Sequence, residues 1–131
     1  MKSSQLNTSE NPTTAASSPR DNPCLGSDAN IAALDAFADD GISYLLPYAQ
    51  FLYAEKISNP ALEKEPDAPP EKMLIHFARA DVVVLGSGLN RLEQGIQKYE
   101  LKFVKSADRR LAATLNTHIA AVTVTLTREN V

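Results

Sequence analysis

Two apolar runs lie three residues apart and constrain the fold more than any other feature of the chain. In the first, Met73, Ile75 and Phe77 alternate with Leu74, His76 and Ala78. In the second, Val82, Val83, Val84 and Leu85 are apolar at every position. Period-two alternation is the mark of a strand, because successive side chains point to opposite faces. Arg79-Ala80-Asp81 interrupts the two runs, which predicts a β-hairpin turning near Arg79–Asp81. No Asn-Gly is present to set the turn type. A strand apolar on both faces is expected at the centre of a sheet, covered on both sides.

The rest of the pattern builds outward from this hairpin. After Gly86-Ser87-Gly88, Leu89, Leu92, Ile96 and Tyr99 recur at helical spacing, predicting a helix over 88–98. Either Ser87 or Asn90 can cap it, and Asn90 with Glu93 has the spacing of a capping box. Tyr99, Leu101 and Phe103 then alternate with Glu100, Lys102 and Val104, a half-buried strand closing at Lys105. Residues 106–117 read as a polar loop with room for a short helical turn. Over 119–127, Val122, Val124 and Leu126 alternate with Thr123, Thr125 and Thr127, a strand with a wettable face.

Upstream, Ile31, Leu34 and Phe37 recur every three residues and predict a helix over 28–39, capped by Asp28 or Asn30 and stopped at Asp39-Asp40-Gly41. Residues 42–57 fit two readings. Ile42, Leu45, Leu46, Ala49, Leu52 and Tyr53 have helical spacing, but Pro47 opposes a helix running through from residue 42. The expectation is a strand over 50–57 with Phe51, Tyr53 and Ile57 on one face. Four prolines and six charged residues in the fifteen of 58–72 predict a loop. Residues 1–27 are expected to be a disordered tail, since Ser, Thr, Asn and Pro dominate and too little apolar surface is present to offset ordering entropy. Within it, Cys24 is expected to be solvent-exposed. Residues 28–131 then form one small α+β domain. Its order is α–β–β–β–α–β–β, a mostly antiparallel sheet of about five strands with one or two packed helices.

Charge and cysteine usage bound the functional classes. The net charge is −3. Two basic and six acidic residues lie in 1–41, against 11 and 10 in 42–131, so the acidity belongs to the front of the chain. A single cysteine cannot form an intramolecular disulfide, which suits a reducing compartment. No run approaches the roughly 18–20 apolar residues of a membrane span. The first thirty residues lack the apolar core of a secretory signal. The expected location is therefore cytoplasmic, with no membrane partner.

Three motifs could carry chemistry. Residues 81–92, DVVVLGSGLNRL, place a strand, Gly-x-Gly and a helix in the order of a dinucleotide-binding turn. Arg91 stands where that turn needs a small residue, and only 43 residues follow Gly88, too few for the remaining βαβ units. The simpler use of the turn is anion binding by N–H groups around Ser87 and Gly88. Second, Arg91, Lys98, Lys102, Lys105, Arg109 and Arg110, with Tyr99 and Phe103 among them, could track a phosphate backbone and stack bases, which keeps nucleic acid open as a partner. Third, His76, His118 and Cys24 are too dispersed for a zinc site or a nucleophile–base pair. No catalytic residue, metal or cofactor is expected. The reading is a non-enzymatic protein–protein interaction module, with nucleic-acid binding as the alternative and a small enzyme or anion-binding protein at Gly86–Gly88 as the second. Helix 88–98 can cover only one face of strand 82–85, so a homodimer is expected, with cover by the 28–39 helix and residues 42–49 as the alternative.

Overall fold

The computed structural model describes residues 22–127. Within them run β1 (Leu25–Ser27), β2 (Ala33–Phe37), β3 (Ser43–Pro47), β4 (Phe51–Ser58), β5 (Glu71–Phe77), β6 (Ala80–Ser87), α1 (Asn90–Gln97), β7 (Leu101–Lys105) and β8 (His118–Leu126). The strands form two four-stranded sheets rather than one of about five. The first has the order β1-β7-β2-β3 and the second β4-β5-β6-β8. Every pairing is antiparallel except β2 with β7. The strands flanking α1, β6 and β7, lie in different sheets, so no βαβ unit forms. No helix of the described residues is long and apolar enough to cross a membrane.

The hairpin sits where the alternation placed it. Met73, Ile75 and Phe77 pair with Val84, Val82 and Ala80, and all six are buried. The turn is tighter than Arg79–Asp81: Ala80 and Asp81 already belong to β6, leaving Ala78 and Arg79 as the turn. These side chains meet Leu34, Ala36, Leu46 and Val104 of the first sheet in one core. Leu92 and Ile96 of α1 join that core, and Gly95 lies against Leu101 of β7.

Two local expectations fail for the same reason. Residues 33–37 are a strand, not a helix, because the relevant period is Leu34 and Ala36 pointing inward, with Phe37 half-buried on the opposite face against Phe103. A spacing of three had linked residues that the sheet places on opposite sides. The supposed helix stop, Asp39-Asp40-Gly41, is the turn between β2 and β3, with Gly41 at φ 92. In β4 a register shift between Phe51 and Tyr53 puts Phe51 against Phe77, while Tyr53 and Ile57 are exposed, so the three do not share one environment.

The front of the domain also begins earlier than residue 28. Leu25–Ser27 pair with β7, and Cys24 is fully buried, not exposed. Its Sγ accepts from the Ile119 N–H at 3.2 Å, and burial pushes the thiol pKa upward. Neighbouring Asn22 donates to the Thr117 carbonyl, and its own Oδ1 accepts from Cys24 N–H. The rest of the expected tail, residues 1–21, lies outside the described residues.

Candidate functional site

Strand β6 is central, between β5 and β8, and among the described residues only one of its faces is covered. Ala80, Val82, Val84 and Gly86 are buried, whereas Asp81, Val83, Leu85 and Ser87 are half-buried. The register gives the outer face of the second sheet as three cross-strand rows. Tyr53, His76, Asp81 and Thr125 form the first. Glu55, Leu74, Val83 and Thr123 form the second, and Ile57, Lys72, Leu85 and Ala121 the third. Tyr53 and Ile57 are 50% and 43% exposed, a high value for large apolar side chains beside Leu74, Val83 and Leu85. Helix α1 does not lie over this face, since its buried residues join the inner core and Leu101. The predicted two-sided cover of 82–85 therefore fails on the outer side.

Three polar side chains of the face are matched to one another within the chain. His76 Nδ1 lies 2.8 Å from Asp81 Oδ1, and the imidazole stacks on Tyr53 with centroids 4.3 Å apart. Aromatic and ion-pair contacts of this kind fix side chains that would otherwise sample many rotamers. The face is thus semi-rigid, mixed in charge and apolar at its centre.

A second feature is a cleft of about 700 Å³ at the other end of β6. Glu65–Pro70 line one wall, Ala107, Arg109 and Ala112 the other, with Gly86, Ser87, His118 and Ala120 between. His118 Nε2 lies 3.1 Å from both the Ala107 and Asp108 carbonyl oxygens. Carbonyls only accept, so this nitrogen carries the proton and the ring is locked. Asp108 is itself held below the usual carboxylate range, first by its bonds from the Arg110 side chain.

The glycine turn beside this cleft has a structural explanation. A Cβ at Gly86 would overlap the His118 carbonyl oxygen, and one at Gly88, where φ is +65°, would overlap that of Asn116. The space a dinucleotide phosphate would need is filled by the chain entering β8. The start of α1 has its own anion as well. Leu89 N–H donates to Glu71 Oε1 at 2.8 Å, so a carboxylate from β5 replaces the expected Ser87 or Asn90 cap. Asn90 instead accepts from Lys56. No local motif signals Glu71, because it lies 18 residues upstream.

The six basic residues are dispersed. Arg91 lines a hollow with Phe103, Gly26 and Asn22, while Arg109 lines the cleft. Lys105 lies over the Phe37 ring at 5.7 Å, and Lys102, three residues before it on β7, has the opposite strand parity. Lys98 closes α1, and Arg110 is bonded to Asp108. Of the expected anion residues, Ser87 reaches the cleft and Gly88 packs under Asn116. Among the described residues no three His, Cys, Asp or Glu side chains gather as a metal set. Comparison with protein families, curated proteins and solved structures returned no match for this chain.

Proposed function

We propose that the chain is a non-enzymatic protein-interaction module that presents the outer face of its second sheet to a protein surface. The observation that carries this reading is the half-exposed apolar centre of that face, Leu74, Val83 and Leu85, flanked by exposed Tyr53 and Ile57. A contiguous apolar patch rimmed by polar groups is the usual signature of a contact surface. Tyr is also a residue type that anchors interfaces, offering large area at small entropic loss. A cytoplasmic setting suits the single buried thiol at Cys24.

The other two readings draw less support. Nucleic-acid binding needs a continuous basic track, whereas Arg91 and Arg109 line separate hollows and Lys105 and Arg110 are engaged. Anion chemistry at Gly86–Gly88 meets a helix start already given to Glu71, although Ser87 and Arg109 do share the cleft.

A photoreactive benzophenone side chain at position 83 tests the reading inside producing cells. Adducts of defined mass are expected from position 83, and none from a control at exposed Glu93 on α1. Absence of adducts at 83, or equal labelling at both positions, overturns the reading.

A further inference from the structure

We infer that the occupant of this face is a second copy of the chain, stacked sheet on sheet about a two-fold axis running along the strands; the inference rests on the reading above.

Among the described residues, Tyr53 and Ile57 stay exposed and Leu74, Val83 and Leu85 are only half-buried. Edge pairing is also hindered along part of each side of the second sheet. Along β8, Val122 N–H donates to Asp39 Oδ2 and Val122 O accepts from Asp39 N–H, while Ile119 bonds Cys24 and Ala107. Along β4, a register shift and the adjacent charges Glu55 and Lys56 guard the edge. What remains open is the face.

That face complements itself. A two-fold axis parallel to the strands places β4 over β8 of the second copy and β5 over β6. Each row then meets its own reverse. His76 faces Asp81 of the other copy and Asp81 faces its His76. Leu74 meets Val83, Glu55 meets Thr123, Ile57 meets Ala121, and Tyr53 meets Thr125. No charge opposes its like. An axis across the strands instead puts Glu55 against Glu55. The first arrangement also satisfies the near-aligned packing that twisted sheets adopt.

Four strands at about 4.8 Å and five residues at about 3.3 Å give a flat footprint of about 300 Å² per copy, about 600 Å² for the pair, below the roughly 1,200 Å² of a standard specific interface, so the contact is a weak, transient one.

Sedimentation velocity on the full chain from 5 to 200 µM, a range spanning roughly micromolar affinity, tests the inference. A concentration-dependent shift to twice the mass is expected. Thr123→Lys, facing Glu55 of the other copy, tightens the dimer about tenfold, and Thr123→Glu weakens it by a similar factor. Thr123 is exposed, so both variants should fold. Under mild oxidation, the Ile57→Cys, Ala121→Cys double variant forms a covalent dimer. These positions lie on β4 and β8, at opposite edges of the same face, and cannot bridge within one chain. Buried Cys24 does not compete. A monomer at every concentration overturns the inference, as does a dimer unmoved by both Thr123 variants. Cross-linking by Glu55→Cys alone, in place of the double variant, overturns the stated axis. Position-83 adducts to another protein, with a monomeric purified chain, would leave the interaction reading standing and remove only the self-association.

Discussion

β4 and β8 are the two outermost strands of one sheet, yet they end it in opposite ways. At β8 the outward backbone groups of Ile119 and Val122 are taken. Asp39 clamps Val122 through both its N–H and its carboxylate, Ser106 Oγ donates to the same carboxylate, and Cys24 and Ala107 bond Ile119. At β4 no residue is fully buried, and Leu52, Tyr53 and Ile57 are exposed. The difference teaches that this sandwich is closed along one side by polar contacts between its sheets. The other side and the adjoining face are left to solvent or to a partner. Order of strands alone does not define an edge; the destination of the backbone groups does.

The largest expected effect comes from the glycine that lets β8 approach β6. Gly86→Ala sets a methyl group against the His118 carbonyl, so backbone must move. Urea unfolding should register a loss of about 2–4 kcal/mol, in the range of overpacking and strain at a fixed backbone. A loss under about 0.5 kcal/mol, the scale of a neutral surface change, would mean β8 is not held as closely as described.

Asp39→Ala comes next. It removes the acceptor for Val122 N–H and Ser106 Oγ while leaving the backbone N–H to Val122 O bond in place. About 1–2 kcal/mol should be lost, as for hydrogen bonds to a charged group near the surface. Amide exchange should speed up at Val122 and stay unchanged at Leu74 in the hairpin. Equal acceleration at both would make Asp39 a general contributor to stability instead of a clamp on β8.

The smallest effect at neutral pH concerns Cys24 on the same seam. Burial raises its pKa above the ordinary 9.0, so the folded thiol stays protonated where the unfolded one ionises. Its contribution is present below the unfolded pKa and falls away as pH rises through 9 towards the folded value. The slope is at most about 1.4 kcal/mol per pH unit for one proton. Buried Tyr48, whose hydroxyl donates to Leu101 O at 2.6 Å, is shifted the same way by desolvation and adds to the loss at higher pH. In Cys24→Ser the fall in stability beginning near pH 9 should be shallower. A thiol reagent should modify native Cys24 far more slowly than the unfolded chain; equal rates would contradict its burial.

Alternation along 73–85 determined a hairpin, its inward residues and the central position of 82–85. The threonine pattern determined β8, and the 89–96 spacing determined α1. These are short-range periods, written wherever one face of an element meets a core and the other does not. Tertiary structure alone decided that Leu34 and Ala36 are strand residues, because β2 exists only through its pairing with β3 and β7. It alone buried Cys24 under Ile119, brought Glu71 to the start of α1 and set Asp39 against Val122. It also divided the strands into two sheets. The Glu71, Asp39 and Cys24 contacts join residues 18, 83 and 95 positions apart. A local pattern records which side of an element avoids water. Which distant surface supplies the cover is settled only when the whole chain packs, and among the described residues none lies over the outer face of the second sheet.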